Sequence, residues 1–150
     1  MEFVLLFPFV LLLVLVLVEL GFLTYESVTV NHAAREAGRA AAVSAMPSTV
    51  CGPGSIEERA IVASAGRVLC GEVAVSYMDQ DGDGLYGRGD AVIVRVNHPH
   101  IAVTPLSTFA SALSLGAFPA TFDIDVCTET RLESPPPSQV GLVAAVSECN

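Results

Sequence analysis

The chain contains no lysine and no tryptophan, and it sets only seven arginines against 16 acidic residues. The resulting net charge of −9 argues against nucleic-acid binding, because that function needs a basic surface. Catalytic signatures are also lacking: no Gly-x-Ser-x-Gly, His-Glu-x-x-His, P-loop or dinucleotide fingerprint occurs. We therefore expect a protein that is neither an enzyme nor a partner of nucleic acid.

Cysteine pairs of the Cys-x-x-Cys type are absent as well, which argues against a zinc ribbon. The four cysteines are Cys51, Cys70, Cys127 and Cys149. An even number of cysteines after a hydrophobic segment is typical of two disulfides formed in an oxidising compartment. Three pairings are possible, and we expect the sequence-local one, Cys51 with Cys70 and Cys127 with Cys149.

Charge is missing from residues 3–18, where every residue is apolar, and the apolar run resumes after Glu19. A helix over residues 2–25 is long enough to span a bilayer of about 30 Å. A cleaved secretory signal is the alternative, but the segment has no basic n-region and no small-residue cleavage site closely following the apolar run. No turn cluster appears before Met46-Pro47, so we expect the helix to continue to about Ala45.

Small residues recur at four-residue spacing in the second half of this helix, at Ala34, Gly38 and Ala42. Such a stripe allows another helix to approach closely and favours packing with copies or relatives of this chain. The alternative is a plain alanine-rich helix with high helical propensity. Arg35 and Arg39 lie one turn apart and are candidates to pair with Glu36 or with acids of neighbouring chains.

Two acidic side chains lie in or beside the apolar run. Glu19 is surrounded by apolar residues, so we expect either a partner or a neutral state if the helix is buried. Glu2 also needs a partner or a polar environment, and we favour a position at the membrane boundary for it. In an assembled bundle, either carboxylate is a candidate partner for an amine or arginine of an adjacent subunit.

The orientation of the segment contains a conflict. The positive-inside rule would place Arg35 and Arg39 in the cytoplasm, whereas disulfides would place the same side of the membrane outside the cell. We give the cysteines more weight, because a basic leader before Met1, removed by processing, would resolve the conflict.

Beyond the helix, residues 47–150 predict one disulfide-bonded α+β domain. Ser55-Ile56-Glu57-Glu58 is a capping box that opens a short helix, which Gly66 can close. Alternating apolar residues predict an antiparallel pair of strands, and a third strand, a second short helix and a final apolar segment follow from similar patterns. The predicted ranges are 72–78 and 90–96 for the paired strands, 121–132 for the third strand, 104–116 for the second helix and 140–146 for the apolar segment.

The connection between the paired strands has the spacing of a calcium loop. Its candidate ligands are Asp79, Asp81, Asp83, Leu85 and Asp90, at loop positions one, three, five, seven and twelve, with a glycine at position six. Calcium would then have a structural role, making the hairpin rigid. The alternative is an acidic, glycine-rich turn without an ion.

Two histidines follow the second predicted strand. His98 and His100 alternate onto one strand face, but Pro99 separates them and no further metal ligand is evident. We therefore favour a role at a loop edge over metal binding.

The N-terminal pattern resembles the TadE-like pilins of tight-adherence pili. The resemblance rests on Met1-Glu2-Phe3 before the apolar run, on Glu19-Leu20-Gly21, and on the segment from Asn31 to Ala42. It extends loosely to residues 92–99 and 130–133. The resemblance implies a type IV pilin-like architecture: a helix, residues 1–46, that lies in the membrane before assembly and in the filament core afterwards, and an extracellular domain, residues 47–150.

The leading hypothesis is therefore a structural subunit of an extracellular type IV or Tad-like pilus. Its partners would be copies of itself or other pilins, the membrane before assembly, and the pilus assembly machinery. One alternative is a membrane-retained minor pilin or assembly accessory protein. Another, from a different class, is a membrane-anchored calcium-binding adhesion module.

Overall fold

The structure is a computed structural model that describes residues 2–43, 46–47, 51–105, 121–138, 142–144 and 149. The helices are α1 (Glu2–Ala42) and α2 (Ile56–Ala63), with a 3-10 turn at Cys70–Glu72, and the strands are β1 (Val73–Met78), β2 (Ala91–Ile101) and β3 (Thr121–Arg131). The strands form one sheet in the order β1-β2-β3. The predicted α+β class, a long apolar helix followed by a small antiparallel sheet, is confirmed.

Helix α1 continues through Pro8 and ends at Ala42, slightly before the predicted end near Ala45. The amide of Glu133 donates to the carbonyl oxygen of Ala42 at 2.9 Å, so the helix end is closed by a bond from elsewhere in the chain. Between Leu6 and Ala42 the helix contains a stretch long and apolar enough to cross a membrane. Most of the large apolar side chains from Leu6 to Val18 are exposed, which suits contact with lipid or with other helices.

Contacts divide the chain into two units. One contains Met1–Val28 and Pro99–Ile124, and the other contains Thr29–His98 and Asp125–Asn150. In the first unit, the described part of the chain buries few large apolar side chains. The second unit holds most of the core, including Ile56, Val68 and Tyr77.

Helix α2 begins where the sequence predicted a capping box. Ser55 Oγ accepts a hydrogen bond from the Glu58 amide at 3.1 Å, while the Glu58 carboxylate accepts from Gly54, one residue before the expected Ser55 amide. At the C-terminal end of α2, the Gly66 amide donates a hydrogen bond to the carbonyl oxygen of Ile61 at 2.8 Å. The backbone already adopts the left-handed conformation at Ala65, with φ 54°, one residue before Gly66.

Strands β1 and β2 form the antiparallel pair that the alternation predicted. Val73 faces Val96, and Tyr77 faces Val92. Strand β2 continues to Ile101, well past the predicted end at Val96. Pro99 lies beyond the part of β2 that pairs with β1, which begins at Val73, opposite Val96, so its missing N–H interrupts no bond to β1.

The last part of the chain pairs with the other edge of β1. The amide of Tyr77 donates to the Val143 carbonyl oxygen at 2.8 Å, and Tyr77 forms a parallel bridge with Ala144. Residues 142–144 are the described part of the predicted final apolar segment. The predicted second helix, 104–116, lies almost wholly outside the described residues.

The disulfides join Cys51 to Cys70 and Cys127 to Cys149, which is the sequence-local pairing predicted above. Each bridge closes a short loop and, by restricting the unfolded chain, stabilises the fold by roughly 2–4 kcal/mol. Their presence accords with an oxidising compartment.

Candidate functional site

The second half of α1 carries a continuous buried face of mostly small residues. Its members are Val30, Ala33, Ala34, Ala37, Gly38, Ala41 and Ala42. Strand β3 lies against this face at Gly38, where a Cβ would lie 2.8 Å from Thr130 Oγ1 and 3.2 Å from Thr128 Cγ2. Glycine is therefore required for the observed distance between helix and strand.

The predicted stripe of Ala34, Gly38 and Ala42 belongs to this buried face. Gly38 has its closest neighbours in the chain's own β3, so at least part of the stripe packs within the subunit. Packing of the stripe against other subunits stays a prediction. The i, i+3, i+4, i+7 recurrence of small residues is also the signal of a helix face that packs against its own domain.

Arg35 and Arg39 flank the buried face and are exposed. They line a groove of about 370 Å³ with Thr128, Thr130 and Glu133, among other residues. Within the described ranges neither guanidinium forms a hydrogen bond or an ion pair, with Glu36 or any other residue. Two unpaired cations on an acidic chain are available for carboxylates of another molecule.

Glu19, the acidic residue inside the apolar helix, has partners in the same chain. Its carboxylate accepts hydrogen bonds from the amides of Val103 and Thr104, at 3.1 and 2.9 Å. It also lies 3.1 Å from His100 Nε2, while Nδ1 of the same ring lies 2.5 Å from Glu26 Oε2. We call Glu19, Glu26 and His100 the helix latch, because they join α1 to the end of β2 within one unit.

The helix latch favours a protonated histidine. His100 is 1 % exposed, and burial lowers its pKa, but hydrogen bonds and charges from Glu26 and Glu19 outweigh burial and raise the pKa above the ordinary value. Only the imidazolium carries a proton on each nitrogen, so only that form donates to both carboxylates. A neutral ring would leave one carboxylate without its histidine donor.

The expectation that His100 lies at a loop edge is wrong, because it is a buried strand residue. His98 Nδ1 lies 2.8 Å from Glu72 Oε2, at the start of β1. Sequence reasoning missed the helix latch because its partners are about 80 residues apart, although the lone carboxylate of Glu19 did indicate that a partner was needed. Of Glu2, the structure describes only its place in α1.

The predicted calcium loop is the whole connection between β1 and β2, residues 79–90. Carboxylate oxygens of Asp79, Asp81 and Asp83 all lie within 4.8 Å of one another, so they could hold a metal ion. Gly84, at loop position six, has φ 81°, a conformation that other residues rarely adopt. Asp90 lies outside this group: its two oxygens accept from the amides of Gln80 and Gly87, at 2.8 and 2.6 Å.

The three aspartates have different electrostatic surroundings. Backbone hydrogen bonds from Gly84 and Gly82 lower the pKa of Asp79. For Asp81, a hydrogen bond from the backbone amide of Asp83 also lowers the pKa. Desolvation, the side chain of Asp79 and nearby negative charges outweigh this bond, so the pKa of Asp81 is raised. A cation would relieve this repulsion. The Leu85 amide donates to Asp83 Oδ1 at 2.7 Å.

Comparison with known proteins bears on the N-terminal segment. A family model described as TadE-like protein matches residues 1–39. Neither a curated protein nor a solved structure matches the chain. The matched residues include the apolar run, the latch carboxylates and most of the small-residue face. The resemblance drawn from the sequence is thus confirmed over this segment, where the chain is similar to TadE-like proteins.

Proposed function

We propose that this chain is a structural subunit of an extracellular Tad or type IV-like pilus, with no catalytic role. The observation that carries the proposal is the 41-residue helix α1, whose apolar first half is largely exposed within a TadE-like segment. An exposed apolar helix of this length needs lipid or other helices around it. We place it in the cytoplasmic membrane before assembly and in the filament core afterwards.

The outer parts of the chain suit this role. Two disulfides keep a small domain folded outside the cell. Arg35 and Arg39, which have no ionic partner among the described residues, offer cations to the acidic surface of a neighbouring copy, since the chain as a whole carries −9. Partners would be copies of this chain or other pilins, together with the assembly machinery.

We also propose that calcium binds Asp79, Asp81 and Asp83 and makes the connection between β1 and β2 rigid. The proposal is supported by the convergence of three carboxylates within 4.8 Å and by the raised pKa of Asp81. The ion would be structural. Asp90 would act on the same loop through its bonds to Gln80 and Gly87.

The test of the pilin role is mass spectrometry of filaments sheared from the cell surface. We expect this chain to be a main component. A chain found only in the membrane fraction would instead be a membrane-retained minor pilin or assembly factor, and a chain that binds surfaces without any filament would be an adhesion module.

A pair of variants separates assembly from membrane insertion. Val28 is 64 % exposed on α1, beyond the apolar run, and Val62 is 67 % exposed on α2. Val28→Arg should leave the membrane-bound pool unchanged but reduce the chain in sheared filaments, because a charge enters the helix-packing zone. Val62→Arg should alter neither pool. Equal filament incorporation of both variants would contradict assembly through α1.

A further inference from the structure

Three large apolar side chains are exposed where β2 ends and β3 begins. They are Ile101, Val103 and Phe122, with exposed fractions of 70 %, 60 % and 45 %, and we call them the apolar rim. Because β2 and β3 are neighbouring antiparallel strands, the end of one and the start of the next lie at the same end of the sheet. The three residues thus lie at the same end of the sheet.

The helix latch fixes where the apolar rim lies along α1. The amides of Val103 and Thr104 both bond to the Glu19 carboxylate, and His100, one residue before Ile101, contacts the same group. Glu19 is the first charged residue after the apolar run from Phe3 to Val18. The rim is therefore held at the level of Glu19, in the outer third of the apolar segment 2–25.

The sequence around the apolar rim shares one property with that run, the lack of charged residues. No acidic, basic or histidine residue occurs from Ile101 to Phe122, although the chain carries 16 acids and seven arginines elsewhere. Charge returns at Asp123, which is exposed. An uncharged stretch bounded by an exposed carboxylate suits the boundary between acyl chains and headgroups better than open water.

We propose that the apolar rim is a second membrane-contacting surface: Ile101, Val103 and Phe122 insert into the interface of the bilayer beside α1, and the helix latch sets their depth. The partner is lipid, and the apolar surface of the rim continues that of the helix. This inference rests on the proposed membrane insertion of α1. The subunit would be held in the bilayer at two points until assembly withdraws it.

The absence of tryptophan makes a direct test possible, because each single-tryptophan variant reports on one position. The full chain is reconstituted into phosphatidylcholine vesicles, with and without bromine atoms on the acyl chains, which quench tryptophan fluorescence on contact. The variant for the rim is Val103→Trp. Val62→Trp is the matched control in the outer domain, with similar exposure, and Leu13→Trp reports whether α1 is in the bilayer.

The expected result is a blue-shifted emission and a loss of intensity in brominated vesicles for Val103→Trp and Leu13→Trp, with no loss for Val62→Trp. Quenching of Leu13→Trp alone would overturn the rim proposal and leave the membrane-inserted helix intact. Blue-shifted emission of Val103→Trp without quenching would also overturn it, since protein would then cover the rim. No quenching of Leu13→Trp would remove the membrane insertion on which the proposal rests.

Discussion

Gly38 offers a sharp test of how α1 packs against the sheet. Gly38→Ala adds a methyl group that would lie 2.8 Å from Thr130 Oγ1, closer than side-chain carbons approach in folded proteins. Thr128 Cγ2, at 3.2 Å, closes the other side of the site. Threonine is short and restricted at χ1, so the strand or the helix has to move.

Two opposing contributions determine the size of the effect. Alanine in a helix interior is more favourable than glycine by about 1 kcal/mol. Overpacking of a close contact costs about 1–3 kcal/mol. The net result is a loss of about 1 kcal/mol in the free energy of unfolding, or about 4–8 °C in melting temperature for a domain of this size.

The assay is thermal unfolding of the purified chain in detergent, followed by circular dichroism. Gly21→Ala is the matched control, because no atom lies within 4 Å of the added methyl group; it should be neutral or stabilising. Gly38→Ala combined with Thr130→Ala should recover part of the loss, with a coupling energy of about 0.5–3 kcal/mol. If Gly38→Ala stabilised the chain as much as Gly21→Ala does, the close packing described here would be refuted.

Two further predictions concern ionisable groups. The folded-state pKa of His100 is raised. The helix latch therefore contributes its full stabilisation to the fold below the ordinary pKa of about 6.5, and this stabilisation is lost as the pH rises through the folded-state pKa. The melting temperature should therefore fall as the pH rises above about 6.5, more steeply than in His100→Gln. Equal slopes would contradict the latch, and His32→Gln, a partly exposed helical position, should behave like the unmodified chain. Calcium at about a hundred times its dissociation constant should stabilise the chain by about 2.7 kcal/mol. Asp81→Asn should lose this gain while Asp123→Asn keeps it, and a melting temperature insensitive to calcium would count against the site.

Local patterns were sufficient for much of the fold. Alternation of Val73, Val75 and Tyr77 predicted β1, because side chains in a strand point alternately to opposite faces. The end of β2 was not predictable in this way: Pro99 reads as a strand breaker, and only the position of β1 shows that its missing N–H interrupts no bond to that strand. The capping box at Ser55 was predictable because its donors and acceptors lie within one helical turn.

The candidate sites show the same difference between features that local sequence predicts and features that depend on the tertiary structure. The spacing of Asp79, Asp81 and Asp83 already indicated a group of carboxylates, since five consecutive residues cannot lie far apart. The position of Asp90 as a support for the loop, outside that group, required the backbone of the whole connection. Likewise, the small residues around Gly38 predicted close packing, but the sequence could not say that β3 of the same chain is the nearest partner.

By itself, the sequence determined that the chain has a membrane-length apolar helix, a small sheet and two disulfides, because hydrophobic runs, alternation and cysteine number act locally or through composition. Only the tertiary structure decided that Glu19 is satisfied by His100 and the amides of Val103 and Thr104. That outcome depends on bringing together groups about 80 residues apart, and the free energy of a buried carboxylate depends on which donors the fold places around it.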